Sequence, residues 1–266
     1  MNRFVKIVLF TCFWLSGAAF AAPAGIFFEV TGDVTMTPVG KPPIKVKTGD
    51  LFETGAKMVT GPQGRATLKF EDGQVMALAF NTDFTVTNYQ YVASAPAEGS
   101  VIVNVTRGGL RFITGLIGKA NPAKFAVHTP TVTAGVRGSD GQVIVLTDSS
   151  GSVQVLVGSN GDQVTVTGAN GVTVTLTPGN FSYTNGPNAN PVTFTAANPP
   201  AGVAATAVAA LLSAASTLIQ QSLPPPTPGL NQSVAAPPAA PLQNAQQTIN
   251  NATSGGGGGG GTIVSP

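Results

Sequence analysis

Glycine recurs every ten residues, at positions 141, 151, 161 and 171, preceded in turn by Asp140, Ser150, Asn160 and Asn170. Each glycine opens a valine-rich run, at 142–146, 152–157, 162–167 and 172–177. Runs of this length, cut by turns of about four residues, are too short for packed helices and suit strands. Asn-Gly and Asp-Gly favour the left-handed backbone that matches the twist of paired strands. The repeat therefore predicts a β-meander, in preference to a solenoid, because residues 26–113 do not share the period. Lysine gatekeepers are missing from these runs, so this part is expected to pack against something or be capped.

The chain upstream alternates in the same manner. In residues 65–70, Ala66, Leu68 and Phe70 point one way while Arg65, Thr67 and Lys69 point the other. Asp72-Gly73 follows as a hairpin signal, with 74–80 as the return strand. Val101, Val103 and Val105 repeat the pattern. No segment between 26 and 195 sustains a helical period, so residues 26–195 are expected to form one all-β domain. A body of that length can bury a sizeable core.

Charge divides the chain unevenly. Charged residues make up 9% of the 266, and the last is Asp162, which leaves residues 163–266 without Asp, Glu, Lys or Arg. Arg3 and Lys6 precede an apolar stretch at 7–15, and Ala19-Phe20-Ala21 offers a small-residue cleavage site. Residues 1–21 thus read as a secretory signal peptide. Its apolar core is short of the roughly 20 residues that span a membrane, so no stable span is expected after cleavage. Cleavage would remove the only Cys and the only Trp, and would leave 11 basic against 11 acidic residues. The expected location is the periplasm or beyond, with a fold that rests on its core and not on disulfides. A neutral chain without Lys/Arg clusters excludes a nucleic-acid binder.

Residues 196–266 form a Pro/Ala/Gly-rich tail with ten of the 21 prolines and seven consecutive glycines at 255–261. Such a composition buries too little apolar area to offset chain entropy, so the tail is expected to be largely disordered. One stretch differs. Near 204–221, Val208, Leu211, Leu212, Ala215, Leu218 and Ile219 fall at helical spacing, which predicts a short helix docked on the body or on a partner.

Residues with catalytic chemistry are sparse. His128 is the only histidine, with no further His or Cys to complete a zinc set and no nucleophile elbow beside it. Glu71 and Asp72 are adjacent, so on a strand they would face opposite ways. A turn explains Asp72 better. Asp140, Asp148, Asn160 and Asp162 offer oxygen ligands but lack calcium-loop spacing. No metal, cofactor or enzymatic activity is expected. Tyr89 and Tyr91 share one strand face and are candidates for contact with a partner or a sugar, against a structural cross-strand role.

Eight motifs in order resemble the FecR domain, the periplasmic sensor module of ferric-citrate-type regulators. They are Val30-Thr-Gly-Asp-Val34, Thr48-Gly-Asp50, Thr60-Gly61, Ala66-Thr-Leu-Lys-Phe-Glu-Asp-Gly73 and Arg107-Gly-Gly-Leu110, then the three that follow. The most specific is Thr129-Pro130 with Ala134-Gly-Val-Arg-Gly-Ser139, which carries Ser where the family has Thr. Gly151-Ser-Val-Gln-Val155 and Leu176-Thr-Pro-Gly179 complete the set, over roughly residues 28–185. The resemblance implies an all-β, jelly-roll-like sandwich. In signalling members the domain follows a cytoplasmic anti-sigma segment and a membrane helix, and senses an outer-membrane transporter. A chain that opens on a cleavable signal departs from that plan, so the anti-sigma role is not carried over.

Within the most specific motif, Arg137 stands between Gly135 and Gly138, where its planar fork can meet a carboxylate or carbonyls of a ligand or partner. The alternative is that it fixes its own turn, as Thr129, Pro130, Gly135 and Gly138, with Asp72 and Gly73, are expected to do elsewhere. The functional expectation is a non-enzymatic exported module that binds a protein or envelope component, by surface complementarity or strand addition at a sheet edge. The alternative is a structural or adhesive secreted protein whose neutral tail acts as spacer or assembly segment.

Overall fold

The structure is a computed structural model and describes residues 22–136, 140–147, 151–195 and 198. The expected signal peptide, the tail with its helix near 204–221, Arg137, Gly138 and Asp148 lie outside the described residues.

Eight strands come first: β1 (Pro23–Thr31), β2 (Val34–Thr37), β3 (Ile44–Lys45), β4 (Leu51–Glu53), β5 (Lys57–Thr60), β6 (Arg65–Phe70), β7 (Val75–Leu78) and β8 (Asp83–Gln90). The long β9 (Ser100–Ile113) follows, then a short helix α1 (Leu116–Ala120). Eight more strands complete the domain: β10 (Phe125–His128), β11 (Val132–Val136), β12 (Asp140–Thr147), β13 (Val153–Ser159), β14 (Val164–Gly168), β15 (Thr173–Leu176), β16 (Asn180–Asn185) and β17 (Val192–Thr195).

These strands form a two-layer β-sandwich of the all-β class that the alternation predicts. One sheet runs β4-β1-β6-β7-β9-β12-β13-β16-β17. The other runs β3-β2-β5-β8-β9-β10-β11-β14-β15. Every pairing is antiparallel except β9 with β10. β9 belongs to both sheets. Its first half pairs with β8 and β10, its second half with β7 and β12. All strands before β9 therefore lie on one flank of it in both layers, and all strands after it lie on the other.

The strand changes layer at Gly108, whose φ of +87° only glycine adopts without strain. A Cβ there would come within 2.5 Å of the Thr82 backbone. Thr82 also fills the bend chemically. Its hydroxyl accepts from the Gly109 N–H at 3.0 Å and donates to the Gly109 carbonyl at 3.2 Å. The Gly109 N–H is thus satisfied inside the core, where an orphan would cost about 1–3 kcal/mol.

Between the layers, Phe27, Phe52, Phe70 and Tyr89 form a chain of edge and tilted ring contacts 5.0–5.7 Å apart. Phe112 of β9 meets Phe125 of β10 at 5.3 Å and ties the second flank to the seam. Val101, Val103 and Val105 are fully buried, as their alternation predicts.

The ten-residue repeat builds something other than one continuous meander. Gly151 and Gly171 adopt φ of +84° and +82° in the β12–β13 and β14–β15 hairpin turns. Gly141 instead lies within β12 beneath the Phe112 ring, and Gly161 lies where the chain passes from one layer to the other. The repeat alternates between turning within a sheet and switching sheets, so two hairpins face each other across the core. β13 and β14, which a meander would pair, share no ladder.

Gly108→Ala is expected to cost about 2–4 kcal/mol, by combining left-handed strain with overpacking against Thr82. Gly151→Ala, with nothing within 4 Å of the added carbon, is expected to cost only the strain, about 1–2 kcal/mol. Urea unfolding of both variants checks the difference.

Candidate interaction surface

Each layer ends in two edge strands. On the flank before β9 these are β3 and β4, which are short and set among Lys41, Lys45, Lys47, Asp50 and Glu53. Lys45 there pairs with Asp33 at 3.0 Å. Charge and brevity are the usual protection of an open edge. The flank after β9 ends in β15, Thr-Val-Thr-Leu, and β17, Val-Thr-Phe-Thr, neither with a charged residue in or beside it. Thr173 and Thr175 are exposed on β15, as are Val192, Thr193 and Thr195 on β17. The two edges lie at the same end of the sandwich. The loop after β16 crosses between layers there, where Asn170 Nδ2 donates to Asn190 Oδ1 at 2.6 Å.

The residues singled out from sequence fall in other places. Tyr89 is buried, with its ring against Phe70, and Tyr91 packs partly buried on the core. The Tyr89 ring makes the kind of cross-strand contact that the structural alternative describes. Alternation puts both tyrosines on one face, and at Tyr89, within β8, that face turns inward.

The Tyr89 hydroxyl accepts from the Asp72 N–H at 2.9 Å and donates to Asp72 Oδ1 at 3.4 Å. Asp72 is the second residue of the β6–β7 hairpin turn, and Gly73 takes φ of +82° as the turn requires. Its role extends beyond the turn. Oδ1 accepts from the Gln74 N–H at 3.2 Å, and Oδ2 accepts from the Ile117 N–H at 3.3 Å. The Asp72 carbonyl accepts from the Leu116 N–H at 2.9 Å. One turn residue thus holds the first turn of α1 from 45 positions away in sequence. Gly115 permits the approach, since a Cβ there would strike the carboxyl at 2.4 Å. Burial raises the Asp72 carboxyl above the ordinary carboxylate range, against the lowering pull of those hydrogen bonds. Tyr89 is raised too, by burial and then by the charge of Asp72 beside it.

Thr129 closes the β10–β11 hairpin. Its hydroxyl donates to the Val132 carbonyl at 2.9 Å and accepts from the Val132 N–H at 3.0 Å, with Pro130 in the turn. Gly135 lies opposite Thr165, where a Cβ would meet the hydroxyl at 2.8 Å. His128 Nδ1 is 2.9 Å from the Thr133 hydroxyl. Asp140, one of the oxygen donors, is engaged by Arg111 in a two-pronged pair at 3.1 and 2.7 Å, nearly buried. Among the described residues no cluster of three His, Cys, Asp or Glu gathers in space.

Residues 56–160 match the model of the FecR protein family. The likeness to the FecR family covers that stretch of the chain. The matched segment runs from the end of the β4–β5 turn to the end of β13, so it holds the β9 seam and leaves β15 and β17 outside. Two crystal structures of a candidate anti-sigma factor from Parabacteroides distasonis ATCC 8503 resemble this chain, at 16% and 17% identity with TM-scores of 0.42 and 0.41. Each covers 52% of this chain, which spans 59% and 57% of theirs. Comparison with curated proteins gives no match.

Asp72→Ala would leave the Gln74 and Ile117 N–H groups and the Tyr89 hydroxyl without this partner, at an expected cost of about 3 kcal/mol. Asp72→Asn, which keeps an acceptor, is expected to cost roughly 1 kcal/mol at neutral pH. Because the folded carboxyl sits above its unfolded value of 3.8, its contribution is greatest at low pH and is lost as pH rises through the folded value. Denaturation of wild type and Asp72→Asn at pH 7 and pH 5 checks this. The wild type should gain on the variant at pH 5.

Proposed function

We propose that this chain is a non-enzymatic, exported FecR-domain module that binds a protein or other component of the cell envelope through the β15 and β17 edges. The observation that carries the reading is the contrast between the two flanks. β3 and β4 are guarded by charge, whereas β15 and β17 are open and uncharged. Strand addition on such an edge draws affinity from main-chain hydrogen bonds, and specificity from the alternate side chains of the added strand. An exported location agrees with the signal-like residues 1–21, and a sensory role agrees with the family match. No helix of the described residues is long and apolar enough to cross a membrane.

A photo-crosslinking side chain at Thr175 or Thr193, introduced in the producing cell, tests the proposal. A discrete adduct from these positions, absent from a probe at Lys69 on the outer face of β6, is the expected result. Thr175→Lys with Thr193→Lys should abolish the adduct while changing stability by no more than about 0.5 kcal/mol. Adducts of equal yield from all three probes, or insensitivity to the lysines, would contradict it.

A further inference from the structure

On one sheet of the second flank, both faces of the strands are buried. β12, β13 and β16 turn Val143, Val145, Val155 and Val157 into the core between the layers. Their alternate residues must point away from that core. These are Gln142, Ile144, Leu156, Phe181 and Tyr183, joined by Phe194 of β17 through the same cross-strand rows. They are 1%, 1%, 0%, 2%, 4% and 6% exposed. Elsewhere the outer faces are less covered. Lys69 of β6 is exposed, and Thr133, Thr165 and Thr167 of the opposite layer are only half-buried.

The described elements do not account for this cover. β12, β13 and β16 have their principal contacts with one another, with β9 and β17, and with β14 and β15 across the core. The burial of that outer face calls for a cover beyond these elements. Its surface is apolar, with Phe181 and Phe194 stacked at 5.7 Å, and Gly158 leaves room for Phe181 and Gln142. Gln142 has no hydrogen-bond partner for either side-chain amide atom among the described residues, so the cover must meet a buried amide as well.

We propose that residues 204–221 of this same chain lie across the outer face of β12, β13, β16 and β17 as an amphipathic helix, with Val208, Leu211, Leu212, Ala215, Leu218 and Ile219 against Ile144, Leu156, Tyr183 and Phe194. The connection favours this occupant. β17 is the outermost described strand of the covered face, and eight residues separate Thr195 from residue 204, a reach of up to about 30 Å. Eighteen helical residues extend about 27 Å, while the four strands and β9 span about 19 Å. Charge agrees too, because neither the segment nor β13, β16 and β17 carries any. Ser213, Ser216, Thr217 and Gln220 are the groups in the segment able to satisfy Gln142. Tethering holds the segment at high local concentration, which favours docking within one chain over docking between chains.

Hydrogen exchange on the intact chain tests the docking without any substitution. Amides of 204–221 should exchange at least tenfold slower than those of 230–260, and equally so at low and high protein concentration. Leu212→Asp with Leu218→Asp should erase that protection and raise the fluorescence of a hydrophobic dye severalfold, while Gln232→Asp in the distal tail should do neither. Exchange in 204–221 as fast as in 230–260 would overturn the proposal. So would protection that grows with concentration, which would assign the face to a second copy.

Discussion

The structure depends on one strand that serves two sheets. β9 contributes Val101, Val103 and Val105 to one layer, and Leu110 and Phe112 to the other, and everything else is hung from its two sides. A continuous strand can do this only if its backbone turns between layers without stranding polar groups. Gly108 supplies the turn, and the Thr82 hydroxyl supplies the acceptor for the Gly109 N–H. Sheets in such a sandwich must twist and close over a common core. Here both layers inherit their relative placement from the same fourteen residues.

The division at β9 is also a division of surface chemistry. The flank before it carries the charged edges and an Asp72-centred network that pins α1 across the end of the core. The flank after it has few charges, and none after Asp162. Low charge leaves β15 and β17 without the charged guard that β3 and β4 carry, and goes with an apolar outer face on β12, β13 and β16. An edge partner and a tail segment would therefore use different surfaces of the same flank. The module would close one apolar surface with its own chain and offer the other.

Much of this was legible in the sequence because β alternation reports burial directly. Residues 65–70, the Asp72-Gly73 turn and Val101, Val103 and Val105 read correctly from period alone. The decade repeat read correctly as strands and turns, but local pattern does not say whether a turn stays within a sheet. Gly141 and Gly161 look like Gly151 and Gly171 in sequence and differ only in their tertiary neighbours. Tyr89 shows the same limit, since alternation assigns it a face without saying which face is inside. The hold of Asp72 on Ile117 spans 45 residues and has no local signature. The doubly buried strands did leave a trace. Val143-Ile144-Val145-Leu146 is continuous where a half-exposed strand would alternate.

If β9 is the shared support of both layers, the two flanks cannot unfold separately. Native-state hydrogen exchange, resolved by residue across a denaturant series, measures this directly. The buried amides of β6, β9 and β13 should converge on one opening free energy, equal to that of global unfolding, with β9 never opening before either flank. Distinct opening free energies for β6 and β13, with β9 following only one of them, would contradict the account.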